Sequence, residues 1–148
     1  MEKEYYYIIA IIAGLGVTIQ AGVNSQLQQI IKNPLVSALI SFLMGTIILL
    51  AAIAITNVKG FGSMANLGNV KWYQLTGGIL GAFYIFSVII VVPKIGAANM
   101  IGFAVAAQLI FSLIFDHFGW LGFPVREINW SRVFGALLLM AGLYFIKK

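Results

Sequence analysis

The chain has no cysteine, so it can build neither a disulfide framework nor a thiolate metal site. Its single histidine, His117, has no cysteine or second histidine for company, so neither a metal nor a cofactor is expected. Charge is scarce too. Only 9% of the 148 residues are charged, where soluble domains carry about a quarter. The four acidic residues, Glu2, Glu4, Asp116 and Glu127, all fall outside the middle of the apolar runs. A carboxylate within a span is the usual mark of proton coupling, and its absence counts against a glutamate-driven proton antiporter. No nucleophile–base set or metal cluster is present, which argues against an enzyme. The nine basic residues behind the net charge of +5 stand singly or in pairs between apolar runs. They do not form a nucleic-acid footprint and resemble the flanking charges of membrane spans.

Apolar residues make up 61% of the chain, and glycine occurs 16 times. A soluble fold of this size cannot hide that much apolar surface, so the solvent is lipid, and only helices or closed barrels pair their backbone groups there. The period-two alternation of a barrel is missing. The sequence therefore predicts an all-α integral membrane protein with five transmembrane helices in a single domain, residues 1–148. The helices are expected at about 5–31, 34–56, 72–92, 96–115 and 131–146, the last being the shortest. Pro34 suits a first helical turn, and Pro93-Lys94 is expected to break the chain. The glycine-rich stretch 57–70 and residues 116–130 read as loops. The N-terminus is as acidic as it is basic, and no A-x-A-like site follows its apolar run, so it reads as a retained first helix.

Five spans place the two termini on opposite sides of the membrane. Lys3, Lys59, Lys71, Arg126 and Arg132 then share one side, and Lys32, Lys94, Lys147 and Lys148 the other. Orientation follows the Lys/Arg bias of short loops, and a difference of one residue is almost no bias. One reading is a weak preference for one orientation. The other is dual topology, in which two oppositely inserted copies form an antiparallel homodimer, a ten-helix transporter-like bundle. The aromatic belt is one-sided as well: Tyr5, Tyr6, Tyr7, Trp72, Tyr73, Trp120 and Trp130 fall on the N-terminal side. Two inverted copies would supply a belt to each leaflet.

At 3.6 residues per turn the polar side chains form stripes. Helix 1 carries Gly16, Gln20 and Asn24, and helix 2 carries Ser37, Ser41 and Gly45. Helix 3 has Gln74, Gly77, Gly81 and Tyr84, with Ser87 beside them. Helix 4 has Ala97, Ala104, Gln108 and Ser112. Such amides either tie helices together, at ~0.6 kcal/mol per bond, or line a wet cavity. In the cavity reading Gln20, Asn24, Ser41, Ser87, Gln108 and Ser112 hold a small solute, with Phe83 or Tyr84 as an aromatic wall. These groups are uncharged, so a neutral or weakly polar molecule suits them better than an ion. Gly135, Leu139 and Gly142 mark a small-residue face on helix 5, open to either an intrachain contact or a dimer seam. His117, beside Asp116, reads as part of an interfacial pair near Arg126 or Arg132.

The segments IQAGVNSQL (19–27), ISFLMGT (40–46), LGAFYIFSVIIVVPKIGAA (80–98), AAQLIFSLIFDHFGWLGFPV (106–125) and GALLLMAG (135–142) together resemble the YdcZ-type members of the drug/metabolite transporter superfamily. The resemblance implies a five-helix half-transporter of the bacterial inner membrane. In that family such halves occur as single dual-topology genes, as oppositely oriented pairs, or as fused ten-helix chains. The shared asparagine and glutamines of the family map onto Gln20, Asn24 and Gln108, and the glycine usual before the helix 4 glutamine is Ala107 here. The related four-helix multidrug exporters use a helix 1 glutamate that this chain lacks, so their coupling does not carry over. Alternating access between two inverted copies is the expected mechanism. The alternatives are an accessory membrane protein that binds no solute, or one half of an obligate heterodimer.

Overall fold

A computed structural model describes residues 2–56, 62 and 64–147. Lys59 and Lys148, and most of the expected loop at 57–63, lie outside the described residues. Among those described there are five α-helices and no strand: α1 (Glu2–Ile31), α2 (Pro34–Thr56), α3 (Thr76–Ile95), α4 (Ala97–Phe118) and α5 (Trp130–Ile146). Four segments are long and apolar enough to cross a membrane: Tyr5–Ile31, Pro34–Thr56, Trp72–Ile95 and Ala97–Phe118. The fifth helix is apolar but only 17 residues long. Large apolar side chains such as Ile11, Ile48, Ile79 and Phe145 are well exposed on these helices, as lipid-facing surfaces require.

Local chemistry fixes most of the boundaries. Lys32, with φ of 57°, turns the chain out of α1. Asn33 then caps α2, its Oδ1 accepting the N–H groups of Leu35 at 3.0 Å and Val36 at 3.2 Å. A connection this short makes α1 and α2 neighbours. Two short 3₁₀ turns, Met64–Asn69 and Trp72–Leu75, precede α3, so part of the expected loop and the start of the expected third span are tighter helix.

Two expected boundaries need correction. Pro93 lies inside α3, and Pro93-Lys94 does not break it. A proline loses its own N–H bond and crowds the carbonyl four residues back, yet Lys94 and Ile95 keep helical geometry beyond it. The chain turns instead at Gly96, whose φ of +82° suits glycine. At its far end α4 continues past Phe115 to Phe118, so Asp116 and His117 occupy the last helical turn and not a loop. Gly119, left-handed with φ of 65°, ends the helix and donates its N–H to the Phe115 carbonyl.

The chain divides into two compact units, Met1–Pro93 and Lys94–Lys148. In the first, Ala38 of α2 packs with Ile85 and Ile89 of α3, and Tyr84 and Phe86 lean on this cluster. The Phe42 ring lies over Gly81, at ordinary contact distance from where a Cβ would stand. In the second, Leu143 of α5 seats against Gly102 of α4 so closely that an added Cβ would collide with it. The Gly102 contact uses a glycine to bring helices together, the usual device where no hydrophobic effect acts between them.

Candidate functional site

Within the first unit Gln20 and Ser41 border one notch of about 220 Å³ between α1 and α2, shared with Phe42, Gly45 and Thr46. The Thr46 hydroxyl donates to its own helix, to the Phe42 carbonyl at 2.9 Å, and so faces the notch only as an acceptor. Gln20 and Ser41 make no hydrogen bond to any described residue. One turn along α1, Asn24 is 4% exposed, and its Nδ2 is buried with no hydrogen-bond partner. Ser37, on the same α2 stripe as Ser41, is fully buried and donates to the Asn33 carbonyl at 3.0 Å.

The remaining candidates of this unit lie elsewhere. Phe83 borders a separate apolar groove of about 460 Å³ with Leu35, Ala38, Leu39, Phe42 and Phe86. Tyr84 is half-buried against the α2–α3 cluster. The Ser87 hydroxyl donates to the Phe83 carbonyl at 2.8 Å, a bond within its own helix. Gln74 is not part of a helix 3 stripe. It sits in the 3₁₀ turn, and its Oε1 accepts the Lys71 N–H at 2.8 Å, so it works as a cap.

Within the second unit α4 turns Gly102, Ile110 and Leu113 toward α5. Gln108 points away from that face and is exposed, as the 100° step between residues requires. It therefore does not tie α4 to α5. Ser112 is half-buried and donates to the Leu109 carbonyl at 2.9 Å. On α5, Gly135 and Gly142 are exposed, and no atom lies within 4 Å of an added Cβ at either. The contact with α4 runs through Leu143 instead, with Leu139 half-buried beside it.

Sequence reasoning passed over Asn99, in the first turn of α4. Its Nδ2 donates to the Ile95 carbonyl at 2.8 Å, while its Oδ1 is buried and unpaired. A carboxamide three residues after the Gly96 turn was the available signal. Phe42 was also passed over as a wall residue. Its place depends on Gly81 of another helix, which α2 alone does not reveal.

The ionisable groups at the end of α4 hold the chain together. Asp116 and Arg132 form a half-buried ion pair at 2.6 Å. The Arg126 N–H donates to the Asp116 carbonyl at 2.8 Å, and Arg132 Nη1 donates to the Arg126 carbonyl at 3.1 Å. The charged partner of Arg132 is thus Asp116, while His117 Nδ1 accepts the Ile128 N–H at 3.3 Å.

Comparison with known proteins places the chain in a family. Residues 5–145 match the family described as "Putative inner membrane exporter, YdcZ". The chain belongs to this family. It is 30% identical over 149 residues to the inner membrane protein YdcZ of Escherichia coli (strain K12), covering 100% of this chain and 98% of that protein. No solved structure matches it. As a member of the YdcZ family the chain is a multi-pass inner membrane protein, and the family is one of membrane transporters, described by export and not by catalysis.

Proposed function

We propose that two oppositely inserted copies of this chain form an antiparallel homodimer that moves a small neutral or weakly polar solute across the inner membrane by alternating access. The observation that carries the reading is Asn24. An amide serving only to tie helices would have its N–H groups paired, whereas Asn24 Nδ2 is enclosed and unpaired. Gln20 and Ser41, in a notch beside it, also have free hydrogen-bonding groups. Gln108, on the open face of α4, adds a third carboxamide. Gln20 and Gln108 each stand eleven residues from one end of their helices, α1 at Ile31 and α4 at Ala97. That is ~16 Å of helical rise, about half of a ~30 Å hydrocarbon core. Midplane polar groups are where inverted-repeat transporters hold their solutes. Phe83, Tyr84, Ser87 and Ser112 are further candidates for solute contact in such a dimer.

A symmetric pair would account for the weak charge bias, and the open glycines Gly135 and Gly142, with Leu139 between them, would supply a seam for close helix contact. In two identical inverted copies, the inward-open and outward-open states are the same structure seen from opposite sides. The test is binding of a panel of neutral amides and alcohols to the purified protein in lipid discs. Asn24→Ala and Gln108→Ala are each expected to weaken binding at least tenfold while the protein still elutes as a folded dimer. Unchanged binding in both variants would remove the amides from the site.

A further inference from the structure

Phe42 borders both the notch and the apolar groove of the first unit. On one side of it lies the notch of Gln20, Ser41, Gly45, Thr46 and Leu49, which offers the Gln20 amide and the Ser41 hydroxyl among apolar walls. On the other lies the apolar groove of Leu35, Leu39, Ala82, Phe83 and Phe86. Its ring lies over Gly81, with Cζ and Cε1 at 3.5 and 3.8 Å from where a Cβ would stand. The groove alone, at about 460 Å³, has the size of a small-molecule pocket, for which the usual range is ~300–1,000 Å³. The notch, at about 220 Å³, falls below that range. It has room for a polar head but not for a whole drug-sized molecule.

We propose that notch and groove are the two compartments of one amphipathic site, with Phe42 as the partition between them. The solute class is then narrower than "neutral": a molecule with an uncharged amide-like head that pairs with Gln20 and Ser41, and an apolar tail that lies along Leu39, Ala82 and Phe83. A carboxamide such as Gln20 pairs best with an edge that offers an acceptor and a donor side by side. The groove has no charged lining residue and takes only apolar groups. Because Gly81 offers no side chain to lock the ring, a turn about the Phe42 Cα–Cβ bond joins the compartments. This inference rests on the amides binding solute, and adds the tail compartment and the partition.

The experiment is equilibrium dialysis of benzamide, 4-ethylbenzamide and 4-butylbenzamide against the protein in lipid discs, with empty discs in parallel to remove partition into lipid. Affinity is expected to climb about fourfold per added methylene, the usual gain for a buried CH₂. Ala82→Leu should level the series while leaving benzamide itself bound. Residue 82 is exposed on α3, so the longer side chain fills the groove without disturbing the core. Leu39→Trp, at another exposed groove position, is the second filler. Gln20→Ala should weaken all three ligands by the same factor. If benzamide binds through Gln20 but the series is flat, the tail compartment is wrong and the amide site stands. If the climb survives both fillers, the tail rests in lipid or against a second copy, and the inference fails. If benzamide does not bind beyond empty discs, or binds regardless of Gln20, the notch is not a site and the reading beneath it fails too.

Discussion

An enclosed amide N–H left without a partner costs ~1–3 kcal/mol relative to a paired one. Asn24 Nδ2 is such a group, and the cost separates its two roles. If Asn24 serves folding, removing it weakens the protein. If it serves a solute, removing it relieves the unpaired donor. Asn24→Leu is therefore expected to leave thermal stability in detergent unchanged, or to raise it by ~1 kcal/mol, while solute binding is lost. A clear fall in the unfolding midpoint would assign Asn24 to structure. At this scale the sequence was informative where one helix face sufficed. Gln20 and Ser41 could be placed by period alone, and they do share a notch. Gln74 followed the same period but is taken by the Lys71 N–H, a local bond that a helical wheel cannot represent. The double exposure of Phe42 and the buried edge of Asn99 depend on neighbouring backbone, which no single stripe encodes.

The helices themselves were legible because hydropathy over some twenty residues dominates every other signal, and Asn33, Gly96 and Gly119 mark ends by side-chain or backbone chemistry. The break assigned to Pro93 was wrong because a proline near a helix end need not stop it. The end of α4 was placed too early because Asp116 and His117 look like loop residues, yet both find partners from within the last turn. Those partners join α4 to α5. Arg132→Met leaves Asp116 half-buried without its charge partner and releases the Arg126 carbonyl. The expected loss is about 1–3 kcal/mol, between the values for exposed and fully buried pairs. Denaturant unfolding of this variant checks it, and Asp116→Asn/Arg132→Met should cost less than the sum of the single changes. The glycines of this helix pair divide in the same way. Gly102→Leu collides with Leu143 and should lower stability in every state. An added Cβ at Gly142 has open space around it, so Gly142→Leu should fold as well as the parent. If Gly142 lies in the dimer seam, that variant shifts the protein from dimer to monomer, which light scattering in detergent reads directly.

For the whole molecule, the two most unusual features of the expected topology are a Lys/Arg distribution that barely favours either side and an aromatic belt weighted to one, with little beyond Tyr144 on the other. A single orientation leaves both without a purpose. In the proposed dimer two inverted copies would balance both, giving each leaflet an aromatic belt. The absence of cysteine makes the decisive measurement clean, because one cysteine added after Lys148 is the only thiol in the protein. Intact cells are labelled with a membrane-impermeant thiol reagent, then lysed and labelled again. The inverted homodimer predicts that about half of the protein reacts from outside and the rest only after lysis. Labelling that is all or none would contradict it, and would mean that the chain inserts one way and needs a different partner to complete the transporter.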